Sequence, residues 1–212
     1  FLAESKDGYA VLSFRGTEVT KRQDLVIDAR AIKVSVLEGR IHGGFRLAYE
    51  SIADDIERSV LKLPDIPLYI TGHSLGAALA TVATQRLEHI LKIRERIAAC
   101  YTFGSPRVGD SHYDIEFKSP IYRVVNTTDI VTIIPLLAMG YIHIGDIRYL
   151  GRLDGDFRRG IPLLQRCYLF LLTALNFFRP VVGDHAIVEY RRKLGAIATK
   201  RNQPFGRHLD KY

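Results

Sequence analysis

Two rhythms of hydrophobic and polar positions run along this chain. Short apolar runs rich in β-branched and aromatic residues stand at 9–14 (YAVLSF), 68–70 (LYI), 96–103 (RIAACYTF) and 121–126 (IYRVVN), and each reads as a strand. Longer stretches with helical spacing lie between them. Residues 45–63 place Leu47, Ile52, Ile56, Val60, Leu61 and Leu63 broadly on one face, with Asp54, Asp55, Glu57 and Arg58 opposite. That spacing predicts a single amphipathic helix, ended by Pro64 and Pro67. The alanine-rich segment from Ala77 predicts a helix as far as Arg94. Residues 110–118 predict a short helix, 186–198 a terminal one, and 31–41 extended edge structure. Strands that alternate with helices make an α/β fold, a mainly parallel central sheet with helices on both faces.

No repeat, linker or low-complexity run divides the 212 residues, which suffice for one substantial core. Residues 1–212 therefore read as a single domain carrying a basic tail at 199–212. Hydrophobic residues at 47% and charged residues at 25% exclude a disordered chain. The net charge of +7 leaves nucleic acid, an anionic lipid surface or plain solubility as its meaning. Basic residues crowd at Arg191, Arg192 and Lys193 and again at Lys200, Arg201, Arg207 and Lys211, without the aromatic interleaving that stacks bases. Nucleic acid is therefore set aside, and a lipid surface is kept. No apolar run reaches the ~18–20 residues of a membrane-spanning helix. Two cysteines, Cys100 and Cys167, sit in apolar runs and read as free buried thiols.

The chemistry gathers at Gly72-His73-Ser74-Leu75-Gly76, between a β-prone run and the alanine helix. Gly-x-Ser-x-Gly in a strand–turn–helix setting holds its serine on a sharp, strained turn, with the hydroxyl above the sheet end. Side chains two residues before or after would collide with the neighbouring backbone, so glycine stands at both places. The turn also aims the Leu75 backbone N–H at any oxyanion formed on Ser74. A serine nucleophile needs a base and an acid behind it. In the order serine, acid, histidine, Asp129 stands at a strand's C-terminal end, where a catalytic carboxylate belongs. His89 and His112 precede that acid and His208 lies in the tail, so His143 and His185 remain as bases. Asp110 and Asp114 fall on a short helix, Asp146 follows a strand interior, and Ser105 sits in no strand–elbow–helix that would make it a rival to Ser74. No histidine, cysteine or acid cluster has metal-ligand spacing, and neither a metal nor an organic cofactor is expected.

Gly72 to Ala80 (GHSLGAALA) resembles the nucleophile elbow of the class 3 lipases, the filamentous-fungal triacylglycerol lipases and their bacterial relatives. Phe14-Arg15-Gly16-Thr17, His42-Gly43-Gly44-Phe45, Thr102-Phe103-Gly104-Ser105-Pro106-Arg107-Val108-Gly109, Asn126-Thr127-Thr128-Asp129-Ile130-Val131 and Asp184-His185 follow that family's order. The resemblance points to a bacterial-type relative and implies the α/β-hydrolase fold. It also implies that Phe1 is an internal position, with upstream sequence missing. It decides for His185 as base, followed after a gap by Tyr190, and makes His143 and His42 structural. Thr17 becomes the second oxyanion-hole residue beside Leu75. Residues 18–31 become a lid, in which Asp28 or Asp24 orients the Thr17 hydroxyl. The disulfides of the secreted fungal relatives are not shared.

These readings combine into a serine hydrolase of lipid esters, triacylglycerol or shorter acylglycerols, with a phospholipase A1 or galactolipid lipase as the alternative. A non-catalytic scaffold is disfavoured, because serine, acid and histidine are all present. Residues 161–178 (IPLLQRCYLFLLTALNFF), near Arg152, Arg158 and Arg159, read either as a buried helix or as an acyl-chain wall that touches lipid. An extracellular or membrane-peripheral location is favoured.

Overall fold

The computed structural model describes residues 1–16, 32–37, 39–115, 117–126, 129–151, 157–160, 164 and 183–201. The strands are β1 (Leu2–Glu4), β2 (Ala10–Phe14), β3 (Lys33–Val36), β4 (Gly39–His42), β5 (Leu68–His73), β6 (Ile97–Phe103), β7 (Ile121–Asn126) and β8 (Asp146–Leu150). The helices are α1 (Gly43–Glu50), α2 (Ala53–Leu61), α3 (Leu75–Glu88), α4 (Leu91–Arg94), α5 (Ser111–Ile115) and α6 (Ile187–Lys200). Six strands form one sheet in the order β1-β2-β5-β6-β7-β8, and β3 and β4 make a separate antiparallel ribbon. Only β1 runs antiparallel within the large sheet.

Strand alternation builds two cores. Ala10, Leu12, Phe14, Leu68, Ile70 and Cys100 pack with α3 on one face. Phe103, Val124 and Leu150 meet Tyr190 and Ile197 of α6 on the other. The sheet is therefore covered from both sides, as the alternation of elements predicts. Helix α3 is buried nearly all round, with Ala77, Ala78, Ala80 and Ala83 fully inaccessible. Alanine lets its axis come close to the sheet, and Thr81 and Thr84 return their hydroxyls to the Ala77 and Ala80 carbonyls at 3.0 and 2.8 Å.

The predicted helix over 45–63 is two helices. Ile52 leaves the helical region at φ −128°, ψ 1°, and Ser51 turns its hydroxyl onto the Ala48 carbonyl. The buried stripe runs through Phe45, Tyr49, Ala53 and Val60, so Leu47, Ile52 and Leu61 are exposed. Leu47 lies two residues from Phe45, about 200° around the axis, and cannot share its face. The elbow helix stops at Glu88 and only the short α4 reaches Arg94. Helix α5 is shorter than expected, and α6 runs on to Lys200. Cys100 is a free buried thiol, whereas Cys167 lies outside the described residues. No helix among those residues is long and apolar enough to cross a membrane.

Candidate active site

Parallel strands β5, β6 and β7 end side by side, so whatever follows each of them gathers at one sheet edge. Ser74 follows β5 with φ 59° and ψ −127°, the left-handed conformation a non-glycine residue avoids. Its backbone N–H donates to the Phe103 carbonyl at 2.9 Å. The flanking glycines are required by contact. A Cβ on Gly72 would lie 2.1 Å from the Gly76 carbonyl oxygen, and one on Gly76 would lie 2.2 Å from that of Phe14. Leu75 is the first residue of α3, where an N–H has no partner inside its own helix.

His185 sits in a 3-10 turn, Gly183–His185, just before α6. Its Nε2 lies 2.8 Å from Ser74 Oγ, and its Nδ1 lies 2.9 and 2.8 Å from Asp129 Oδ1 and Oδ2. A carboxylate only accepts, so Nδ1 carries the proton and Nε2 is left to accept from the serine hydroxyl. All three residues are buried, Asp129 completely. The structure thus brings together Ser74, Asp129 and, of the two histidines that chain order leaves, the one the resemblance selects.

Asp129 caps the 3-10 turn Ile130–Ile133, taking the Val131 N–H on Oδ1 at 3.0 Å. Tyr190 of α6 donates its hydroxyl to Oδ2 at 2.6 Å. Burial and the Asp129 carboxylate push the Tyr190 phenol well above its ordinary value, so it stays a donor. Arg107 ties the loop after Asp129 by donating to the Ile133 and Pro135 carbonyls. His73 stacks on the His185 ring at 4.7 Å and donates Nε2–H to the His185 carbonyl at 2.7 Å. In the sequence Tyr190 is marked only by its distance from Asp184-His185, and His73 has no role. A ring next to the nucleophile was the available signal for His73.

The remaining candidates fall elsewhere. Ser105 bonds the Pro106 carbonyl at 3.0 Å. His42 caps α1 through the Gly44 N–H at 3.1 Å, as a structural histidine should. Burial and the charges of Arg123 and Arg107 hold His143 well below its ordinary value, and its Nδ1 has no partner among the described residues. Asp146 opens β8 with its side chain exposed. Thr17, Asp24, Asp28, Thr127 and Thr128 lie outside the described residues, as does almost all of 161–178. Among the described residues no group of histidine, cysteine and acid side chains could hold a metal ion.

The family model for Lipase (class 3) matches residues 11–139, more than half of the chain. The chain belongs to the class 3 lipase family, and its fold is the α/β-hydrolase fold. It is 29% identical over 154 residues to the lipase of Rhizopus oryzae, covering 68% of this chain and 39% of that protein. It is 29% identical over 186 residues to the secreted mono- and diacylglycerol lipase A of Penicillium camembertii, covering 73% and 58%. The crystal structure of a lipase from Rhizopus microsporus var. chinensis superposes with a TM-score of 0.70 at 25% identity, covering 87% of this chain and 67% of that one. The chain spans about two fifths of the Rhizopus oryzae lipase and under two thirds of the Penicillium enzyme.

Proposed function

We propose that this chain is a serine carboxylic-ester hydrolase that acts on lipid esters through an acyl-enzyme on Ser74. One observation carries the reading. A buried serine hydroxyl on a left-handed elbow bonds His185 Nε2 at 2.8 Å, while Nδ1 bonds Asp129. Ser74 Oγ attacks the ester carbonyl carbon and gives its proton to Nε2, as the carbonyl electron pair moves onto oxygen. Asp129 holds the imidazole in the accepting tautomer and stabilises the imidazolium. The oxyanion is received by the Leu75 N–H and by Thr17, with Asp28 or Asp24 orienting the threonine hydroxyl. Support for Thr17 comes from the close approach of β2 to the elbow, measured at Phe14 and Gly76. The tetrahedral species collapses by breaking the bond to the alcohol oxygen, which takes the proton from Nε2. Water then repeats the sequence and frees the acid.

The substrate we propose is an acylglycerol, which fits the mono- and diacylglycerol lipase named among the relatives. The net charge of +7 favours one second reading, a phospholipase A1 or galactolipid lipase at an anionic surface. Peripheral contact with lipid through 161–178 and the nearby arginines belongs to the same proposal. So does an extracellular location, which rests on relatives named as secreted.

An organophosphonate should label Ser74 covalently. Ser74→Ala should lose both the label and ester hydrolysis, with a melt at or above that of wild type. A panel of acylglycerols beside a phospholipid labelled at each acyl position separates the two substrate readings. Wild-type turnover surviving in Ser74→Ala would refute the nucleophile, and a fully inert wild type would refute the hydrolase.

A further inference from the structure

Behind the line from Ser74 to Asp129 runs a second set of bonds that reaches the base from the other side. Asn126, the last residue of β7, is fully buried. Its Nδ2 donates to the carbonyl of Asp184, the residue before His185, at 2.7 Å. Its backbone N–H donates at 3.0 Å to the Tyr190 hydroxyl that in turn bonds Asp129. Its Oδ1 accepts from Lys193 Nζ at 2.6 Å, and Lys193 also donates to the Gly151 carbonyl, just past β8, at 2.9 Å. Lys193 is only 6% exposed, where lysine is seldom found. It follows Tyr190 by three residues on α6, so one face of the helix delivers both side chains to the end of β7.

A buried ammonium costs far more than a methionine of similar length, so its chemistry must be weighed against that. Ammonium can only donate, while an asparagine amide has one accepting and one donating end. Lys193 at Oδ1 therefore fixes which way the Asn126 amide lies and directs Nδ2 to the Asp184 carbonyl. The charge also polarises the amide and strengthens the bond it makes onward. His185 begins at the next residue, and its own carbonyl is held by His73. The backbone is thus pinned on both sides of the His185 Cα. We infer that Lys193 is a positioning residue, which through Asn126 sets the placement of His185 over Ser74. The inference rests on the hydrolase reading and gives Lys193 no contact with substrate.

The test is kcat per active site, with sites counted by phosphonate titration and a soluble short-chain ester as substrate. Lys193→Met should lower that kcat by about 10- to 100-fold, the size of a misplacement of order 1 Å, with KM little changed. The double variant with Asn126→Ala should be no worse than Asn126→Ala alone, because both act through one path. Should Lys193→Met fold poorly, Lys193→Ala serves with an added ion. Propylammonium, which replaces the missing atoms, should restore activity, and tetramethylammonium, which has no N–H, should not. A purely structural lysine would lower the melt and the titratable fraction yet leave kcat per site intact. An unchanged kcat per site, losses that multiply with those of Asn126→Ala, or no rescue by propylammonium would each overturn the inference. If wild type takes no label, the hydrolase reading fails and takes this inference with it. If wild type is labelled and the variants match it, this inference alone fails.

Discussion

Replacing Gly104 by alanine asks whether the acid and base are held as tightly as their bonds imply. Gly104 follows β6 with φ 58°, and a Cβ there would lie 2.7 Å from Asp129 Oδ2 and 3.0 Å from His185 Nδ1 and Cε1. Two costs add. The left-handed backbone costs an L-residue about 1–2 kcal/mol. The Cβ must also gain most of an ångström from its neighbours, and Asp129 is fixed by Tyr190, Val131 and His185. Overpacking of this kind costs about 1–3 kcal/mol. The sum, about 2–5 kcal/mol, should lower Tm by ~5–15 °C in a domain of this size. The same displacement moves the base, and kcat should fall by ~10²-fold. Gly8→Ala is the control, because φ there is 79° and nothing lies within 4 Å of the new Cβ. It should show only the backbone cost, a few degrees, with full activity. Melts and ester hydrolysis per titrated site measure both variants. A Gly104→Ala that melts like Gly8→Ala and keeps wild-type kcat would refute the claim that this geometry sets the rate.

Three further changes probe the site and the core. Tyr190→Phe removes the donor to Asp129 and strands the Asn126 N–H, so stability should drop by about 1–3 kcal/mol and kcat should fall with KM unchanged. Denaturant unfolding and steady-state kinetics check both. Thr17→Val deletes a hydroxyl and keeps the N–H. A fall in kcat of ~10²–10³ would place that hydroxyl on the oxyanion, and an unchanged kcat would leave backbone donors only. Burial pushes the Cys100 thiol up to about 12 from its ordinary 9.0. The unfolded thiol ionises first, so its contribution to stability is complete below pH 9 and is lost as pH rises toward 12. Cys100→Val has no thiol to ionise, so across that window the melt of wild type should fall relative to that of the variant. Peptide mapping after alkylation should find Cys100 modified only once the chain unfolds.

What the sequence disclosed was what short range determines. Gly72, Ser74 and Gly76 state their turn within five residues, and Ser74 and Asp129 each follow a strand that ends at one edge, whereas His185 is separable from His143 only by the resemblance. His42 caps α1 over an equally short span, through the N–H of Gly44 two residues on. The break at Ser51 and Ile52 leaves no mark in the hydrophobic pattern, because Phe45, Tyr49, Ala53 and Val60 keep one helical phase across it. Gly104 reads from sequence as an ordinary turn glycine, since its demand comes from Asp129 and His185, both distant in sequence. Lys193 reads as part of a basic surface cluster with Arg191 and Arg192. Only the packing of α6 on β7 and β8 turns it inward, toward an asparagine that no spacing rule connects to it.

The left-handed φ of Ser74 sets stability and activity against each other at one codon. Glycine is the residue that adopts this backbone conformation without penalty, and glycine has no hydroxyl. A library selected only for resistance to heat or protease should therefore drift toward an inert chain at position 74, and one selected for turnover should restore serine at a cost in Tm. Stabilisation of this protein by unguided selection would then remove the hydroxyl on which the proposed chemistry depends.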